Sequence, residues 1–420
     1  MKYNRIISET ATLLSGSVVA QAITLVAYFL LLHIYTPADY GLFSIFYSYI
    51  EVIIIVSTCK YELAVVADRS DRGAAAIARF ALRLNTIVSL SLLAILTVLT
   101  LTGMLPGKFA RLGGLALLIA PMVFFCGTTR VYSSLYNRLH RYRVIASSDI
   151  VCSASGATLK TVFGLLGMHS SGMPLGTVLG QAAANIGYRL KLSSLNLPKT
   201  TREEQREASR RHRNYPLYTA PKDLINSLSA NLPFLWLALY FDNAAVGLFG
   251  LAMTFIIQPC QLICASFERV LYAHCAEAIQ NGRPLMRPLL RFLLPASGAA
   301  LAVATALWFF AEPLFGILFG GKWAGCGVYV RALLPWAVVN IGSLSLMFIP
   351  NLFSTQRTEL FINIGRLILR AAAIGVGIAA VDFKLAVNLF SAASTIVAII
   401  LLTWYLFQAN RHDKTLETIS

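Results

Sequence analysis

The chain of 420 residues is 57% hydrophobic and only 13% charged, and its formal net charge is +16. Apolar runs near the roughly 20 residues that a helix needs to cross a bilayer recur along the whole sequence, which indicates a polytopic integral membrane protein. The runs do not alternate between polar and apolar residues. They therefore exclude a porin-like barrel, whose strands take about 10 alternating residues.

Twelve apolar runs predict about twelve transmembrane helices, six on each side of a polar stretch at residues 192–222. We therefore expect an all-α membrane protein. In chain order the predicted spans are 12–34, 41–58, 85–104, 112–129, 144–168, 173–186, 224–241, 245–267, 290–310, 328–353, 360–380 and 385–407.

Basic residues lie almost entirely on one side of these spans. With a cytoplasmic N-terminus, 27 Lys and Arg residues fall on the cytoplasmic side and only five on the other, namely Lys108, Arg111, Lys322, Arg331 and Lys384. This asymmetry predicts that both termini are cytoplasmic. It explains the positive charge by topology and contact with anionic membrane lipids, so we expect no nucleic-acid partner. The first run is too long for a signal-peptide core and is predicted to remain a span.

An internal repeat supports a division into two halves. The segment YTPADYGLF at 35–43 aligns without gaps on FDNAAVGLF at 241–249, an offset of 206 residues. We predict an N-terminal six-helix lobe at 1–192, a cytoplasmic linker at 193–222 and a C-terminal six-helix lobe at 223–420. Because six is an even number, the two lobes form a parallel repeat about an axis along the membrane normal. Such lobes enclose a cavity that rocking exposes to alternate sides, which favours a transporter.

Ionisable residues within the spans are the candidate functional residues, because charge in hydrocarbon is costly. Glu51 stands alone in the second span. A carboxylate there is either a proton-coupling group with a raised pKa or a protonated group held by hydrogen bonds. The fifth span carries Asp149 and Lys160, and a spacing of eleven residues returns them to nearly the same helix face.

The eleventh span carries four polar residues, Glu359, Asn363, Arg366 and Arg370, at steps that place them on one helical stripe. Arg370 lies about 16 Å into the helix, near the bilayer midplane. Such residues either pair internally and hold the bundle together or line a cationic cavity. A cationic cavity suits an anionic substrate, because Arg can donate two hydrogen bonds to phosphate. The second interpretation makes five residues substrate-binding: Arg366, Arg370, Lys160, Asp149 and Asn363.

Motifs of enzymes and of cofactor sites are missing from the sequence. It contains no GxxxxGK[ST], HExxH or GxSxG pattern, and its seven cysteines form no CxxC pair. We therefore expect no enzymatic activity, no cofactor and no bound metal. Energy for transport would come from an ion gradient such as H⁺ or Na⁺, the membrane potential or the gradient of the substrate itself.

Two segments resemble a known family. Residues 35–74, YTPADYGLFSIFYSYIEVIIIVSTCKYELAVVADRSDRGA, resemble the N-terminal signature of bacterial Wzx-type polysaccharide flippases. These belong to the multidrug, oligosaccharidyl-lipid and polysaccharide exporter (MOP) superfamily. Residues 313–336, PLFGILFGGKWAGCGVYVRALLPW, are similar to the family's Phe-Gly-x-x-Trp region ahead of the tenth helix.

The resemblance implies a flippase of the bacterial inner membrane. Its substrate would be an undecaprenyl-diphosphate-linked oligosaccharide unit, moved from the cytoplasmic to the periplasmic leaflet for O-antigen and lipopolysaccharide, capsule or exopolysaccharide. A polysaccharide polymerase and a chain-length regulator are implied partners. Lys60 and Glu62 lie on the family-like cytoplasmic segment and have either a gating or a structural loop role. The candidates for coupling or gating are Glu51, Lys60, Glu62 and Glu359.

Three alternatives remain open from the sequence. A multidrug or small-solute antiporter of the same fold would favour exposed carboxylates for cationic drugs. A membrane glycosyltransferase or polymerase of lipid-linked sugars would need an extramembrane loop with paired acids or bases, whereas the longest polar connection is basic and predicted to be cytoplasmic. A scaffold for polysaccharide assembly would tolerate neutralisation of the membrane charges.

Overall fold

Helices form all the regular structure of residues 19–104, 112–192 and 198–419, the ranges that the computed structural model describes. The first part of the chain contains α1 (Val19–Ile34), α2 (Pro37–Thr58), α3 (Tyr61–Ala67), α4 (Asp71–Leu101), a 3₁₀ turn (Gly113–Leu118), α5 (Ile119–Arg138), α6 (Tyr142–Leu165), α7 (His169–Leu192) and α8 (Arg202–Arg211). The second part contains a π turn (Tyr215–Thr219), α9 (Ala220–Tyr240), α10 (Asn243–Gln280), α11 (Met286–Phe319), a 3₁₀ turn (Gly321–Trp323), α12 (Cys326–Ser345), α13 (Ile349–Leu352), α14 (Gln356–Ala379) and α15 (Phe383–Ile419).

A helix lies at each of the twelve predicted spans, although residues 12–18 of the first span lie outside the described ranges. Eight helices of the described residues are long and apolar enough to cross a membrane. The four that fall short of this measure are α1, which is described only from Val19, and α6, α7 and α9, which contain several polar side chains. The all-α membrane architecture is therefore confirmed.

Several helices extend beyond the predicted spans. The predicted third span begins at residue 85, but α4 begins at Asp71, where the Ser70 hydroxyl accepts a hydrogen bond from the Gly73 amide. The 31 residues of α4 measure about 46 Å, more than the roughly 30 Å hydrocarbon core. One end of α4 therefore projects beyond the hydrocarbon, and α8 packs against α4.

The two copies of the internal repeat begin helices in the same way. Thr36 caps α2, its hydroxyl accepting a hydrogen bond from the Asp39 amide while the Asp39 carboxylate accepts one from the Thr36 amide. Asp242, the aligned residue of the second copy, caps α10 by accepting a hydrogen bond from the Ala245 amide. Side-chain caps of this kind satisfy amides at a helix start.

The chain forms two compact units, residues 1–231 and 232–420. The division falls within α9, so α8 and the first turns of α9 belong to the first unit. A core of the first unit includes Ile77, Val131 and Tyr136. A core of the second includes Leu289, Ile349 and Leu401.

Candidate functional site

The polar stripe predicted on the eleventh span lies on α14, which is helical throughout residues 356–379. Glu359, Asn363 and Arg370 are buried and Arg366 is partly buried. Glu359 lies in the first turn of the helix, where a carboxylate interacts favourably with the helix dipole.

Arg370 is held between α12 and α15 of the second unit. Its side chain is only 4% exposed, and its Nε donates a hydrogen bond of 2.9 Å to the Ser394 hydroxyl. The guanidinium lies 5.2 Å from the ring centre of Trp336 and 4.9 Å from that of Phe390. Cation–π contacts are strongest when the cation is removed from water, so these rings stabilise the buried charge.

Arg366 belongs to a second cluster, one turn before Arg370. Tyr405 of α15 lies within electrostatic range of Arg366, Glu359 and Glu268. Glu268 of α10 was not among the predicted site residues. Its position in the sequence could have indicated it, because it is a carboxylate one residue beyond the predicted end of the eighth span. Together with Arg370, these groups contribute two carboxylates and two guanidiniums, so the formal charges of this part of the unit balance.

Lys160 lies on α6 in the first unit, with its ammonium 5.2 Å from the ring centre of Phe43. The ammonium makes no hydrogen bond and no ion pair with the residues that the structure describes. Its stem lies beside Gly176 of α7, where a Cβ would be 2.6 Å from the Lys160 Cγ. The absence of a side chain at Gly176 thus leaves room for the lysine chain.

Asp149 and Lys160 are both partly buried on α6, as the helical spacing predicts. Eleven residues of helix separate them by about 16 Å, too far for an ion pair. Among the described residues, the Asp149 carboxylate has neither a hydrogen-bond partner nor a cationic partner within 4.0 Å. The two charges are therefore separate sites on one helix.

Glu51 is partly buried on α2 and has no cation within 4.0 Å in the described ranges. Tyr47, one turn earlier, lies within electrostatic range of Glu51 and of Arg130 on α5. The Glu51 carbonyl accepts a 2.9 Å hydrogen bond from the Ser227 hydroxyl of α9. The carboxylate thus lies near a tyrosine, which in turn lies within electrostatic range of Arg130.

A network of neutral polar groups, missed in the sequence, joins α5, α6 and α7. Gln181 and Asn185 both donate to the Thr129 hydroxyl, at 2.7 and 2.9 Å, and Asn185 also donates to the Phe125 carbonyl at 2.9 Å. The Cys152 thiol donates to the Gln181 side-chain oxygen at 3.1 Å. The sequence could have indicated this network, because the side-chain amides of Gln181 and Asn185 lie one turn apart in an apolar span and such groups form hydrogen bonds between membrane helices.

The segment after α2 holds the two predicted gating residues. Cys59 and Lys60 both adopt left-handed backbone conformations, which turn the chain into α3. Lys60 forms a 2.7 Å ion pair with Asp223 of α9. Glu62 is 4% exposed, and its Oε2 lacks a hydrogen-bond partner in the described part of the chain.

Asp68 connects the same segment to α8. Its carboxylate is 2.8 Å from the His212 Nε2 and accepts a hydrogen bond from the Ser70 amide. Burial by itself raises the pKa of Asp68, but the hydrogen bonds from Ser70 and His212 outweigh it and the pKa is lowered. The Arg138 guanidinium donates to the Asp68 carbonyl at 2.6 Å, so this corner is fixed by several polar contacts.

A family model described as "Polysaccharide biosynthesis protein" matches residues 30–328. A comparison with curated protein sequences gives no significant match. The family predicted from the segments at 35–74 and 313–336 is confirmed at this level.

Solved structures of MOP-superfamily transporters share the fold. The inward-facing form of a multidrug resistance MATE family transporter has a TM-score of 0.68 at 16% identity, over 94% of this chain and 96% of that one. MATE in complex with MaL6 has a TM-score of 0.62 at 14% identity, with coverage of 98% and 97%. A MOP-superfamily transporter from Pyrococcus furiosus, whose reversed pocket polarity suggests a different function, has a TM-score of 0.55 at 14% identity, with coverage of 97% and 96%.

Proposed function

The chain belongs to the polysaccharide biosynthesis protein family, and we propose that it moves undecaprenyl-diphosphate-linked oligosaccharide units from the cytoplasmic to the periplasmic leaflet of the inner membrane. The family match and the MOP-transporter fold support this proposal. An unassisted crossing would bury many sugar hydroxyls and two phosphates in hydrocarbon, each without hydrogen bonds. Polar groups inside a membrane protein lower that barrier.

The observation that carries the proposal is Lys160, a cation in a membrane helix with no ion pair among the described residues. An unpaired charge in such a place is costly, which makes it a functional candidate. A diphosphate would supply the missing anion. We assign Lys160 to the diphosphate and Asp149, on the same helix, to the sugar hydroxyls.

The α14 residues have different proposed roles. Arg366 is partly exposed, so it is the arginine that we expect to contact the diphosphate directly, with Asn363 beside it. Arg370 is held by Ser394 and two aromatic rings, so its substrate contact requires a rearrangement of these groups. When Arg366 binds the phosphate, it would no longer neutralise Glu359. Glu359 would then bind H⁺ or Na⁺, which couples substrate binding to ion uptake.

The remaining predicted residues have proposed roles in coupling and gating. Glu51, beside Tyr47, is a second site for a coupling proton. Breaking the Lys60–Asp223 ion pair would release the start of the segment that carries Glu62 from α9, while Asp68 still holds its far end. We propose that this release opens the cytoplasmic side to the substrate.

The test of the function is deletion of the gene, followed by measurement of the leaflet in which lipid-linked oligosaccharide accumulates. Complete single units that stay on the cytoplasmic face support flipping. Units that reach the periplasm without polymerisation indicate a polymerase instead. An unchanged pool refutes a role in this pathway.

Antiport of a drug or small solute is the second candidate, because multidrug transporters share the fold and the α14 region contains as many carboxylates as guanidiniums. A deletion strain that becomes sensitive to cationic drugs, while its lipid-linked oligosaccharide still reaches the periplasm, would favour this candidate. Normal drug tolerance together with blocked flipping excludes it.

A further inference from the structure

An apolar groove of about 660 Å³ lies on the second unit. Helices α10 and α11 each pack along α12 and meet each other through aromatic rings, with ring centres 4.4 Å apart for Phe267 and Phe292 and 5.5 Å apart for Phe255 and Phe315. The groove is the space between these two helices, with Val338 and Ile341 of α12 among its lining residues. Ile263 of α10 and Val303 of α11 line it and are 48% and 60% exposed, so the groove is open on its outer side.

The groove is elongated along α11. Its lining on α11 runs from Arg291 to Leu307, a helical rise of about 24 Å that covers most of a roughly 30 Å hydrocarbon core. The α11 side of the groove is lined by small side chains, the alanines at 296, 299, 300 and 304, which leave space between the helices. Pro259 and Pro295 lie in the opposing walls, and prolines at interior positions bend helices.

One end of the groove is cationic. Arg291 is the basic residue among the described lining residues, and Arg287 lies one turn before it on α11. Neither guanidinium has an ion pair or hydrogen bond with the described part of the chain. The charge asymmetry of the sequence predicts that this end is cytoplasmic. An apolar channel with free guanidiniums at one end complements an amphiphile that has one chain and an anionic head.

We infer that the groove binds the phosphate-proximal part of the isoprenoid chain of a polyprenyl phosphate, with its phosphate at Arg291 and Arg287. This inference rests on the proposed function, since it places the lipid part of that substrate. A single groove matches one isoprenoid chain, whereas a phospholipid has two acyl chains to accommodate. The chain would remain in the groove while the polar headgroup crosses the membrane.

Native mass spectrometry of the purified full-length protein with undecaprenyl phosphate tests the groove. Ala300→Trp fills the groove, and Ala302→Trp adds the same volume at an exposed position of α11 outside the lining. We expect Ala300→Trp to weaken binding about tenfold or more and Ala302→Trp to leave it unchanged. Val303→Trp is a second groove variant at a more exposed position, in case Ala300→Trp does not fold.

The charged end is tested with a matched pair. Arg291→Glu should weaken binding of undecaprenyl phosphate about tenfold, whereas Arg411→Glu, at an exposed position of α15, should not. Equal binding by both groove variants and the wild type overturns the inference. Displacement by phosphatidylglycerol at the same concentration as undecaprenyl phosphate also overturns it, because the groove would then be a general phospholipid site.

Failure of the groove inference and failure of the proposed flippase function give different experimental results. If deletion blocks flipping but Ala300→Trp binds and flips as the wild type does, the groove inference is wrong and the function stands. If deletion leaves flipping intact while Ala300→Trp still abolishes polyprenyl phosphate binding, the function is wrong and the groove remains a polyprenyl site.

Discussion

Gly180→Ala is expected to force α6 and α7 apart and to destabilise the first unit. A Cβ at Gly180 would lie 2.7 Å from the Gly156 Cα and 2.8 Å from its nitrogen. Both contacts are with backbone, which cannot rotate away as a side chain can. Overpacking costs about 1–3 kcal/mol, and the higher helix propensity of alanine returns up to about 1 kcal/mol. If alanine returns the full ~1 kcal/mol, the net destabilisation is up to about 2 kcal/mol.

Gly187→Ala is the matched control on the same helix. Its Cβ would meet the Ser148 hydroxyl at 3.9 Å, an ordinary contact. Only the propensity term then remains, so this variant should be neutral or more stable by up to about 1 kcal/mol. The same chemical change is therefore expected to destabilise the protein at Gly180 but not at Gly187, on the same helix.

Thermal unfolding of the purified variants in one detergent, followed by circular dichroism, measures both effects. The Gly180→Ala midpoint should lie below that of the wild type and the Gly187→Ala midpoint at or above it. If Gly180→Ala unfolds at the same temperature as Gly187→Ala, the close backbone approach of α6 and α7 is refuted. Transport should fall in Gly180→Ala, since α6 carries Asp149 and Lys160.

Three further changes have defined outcomes. Lys160→Gln should abolish leaflet transfer without loss of folded protein, because it removes the cation assigned to the diphosphate; transfer is measured by the leaflet assay above. Ser394→Ala should lower the unfolding free energy by about 1.5–3 kcal/mol in thermal unfolding, since it removes a hydrogen bond to the charged Arg370. The stability difference between wild type and Asp68→Asn in urea unfolding should shrink as the pH falls below the ordinary aspartate pKa of 3.8. The sign follows because the folded pKa of Asp68, which faces His212, is lowered, so its contribution is present above the ordinary value and lost below it.

Controls for these changes come from the same chain. Lys384→Gln removes an exposed lysine at the start of α15 and should leave transfer intact. Thr403→Ala removes a hydroxyl that bonds only to carbonyls of its own helix, so it should change stability little. Transfer at the wild-type rate by Lys160→Gln, or equal unfolding midpoints for Ser394→Ala and Thr403→Ala, would contradict the assigned contacts. So would a stability difference for Asp68→Asn that does not change in acid.

The helices could be predicted from the sequence because hydropathy and span length are local properties. The positions of the α14 residues followed from helical spacing alone. The surroundings of Arg370 could not be predicted, because Trp336, Phe390 and Ser394 come from two other helices. The balanced charges near Arg366 likewise depend on Glu268, which is distant in sequence. Pattern identifies which residues share a face, but it does not identify what that face meets.

The packing of α8 against α4 could not be predicted from the sequence for a related reason. Residues 202–211 are strongly polar, and composition alone suggests a solvated linker. Gln205, Ala208 and Ser209 are nevertheless buried. Arg83 donates to Gln205 at 2.7 Å and Ala208 lies in the apolar core of the first unit, so polar contacts add to a small apolar area in holding this helix. Such contacts leave no periodic pattern of polar and apolar residues from which the packing could be predicted.

The helix caps at Thr36 and Asp242 bear on the internal repeat that the sequence predicts. A duplicated ancestral segment would have begun with one capping residue at both places. Today one copy uses a threonine with an aspartate three residues later and the other a single aspartate, yet each satisfies an amide at the aligned position. Two aligned segments can therefore differ in residue identity while sharing the hydrogen bond that begins the helix, and a search for such repeats should compare capping ability rather than residue names.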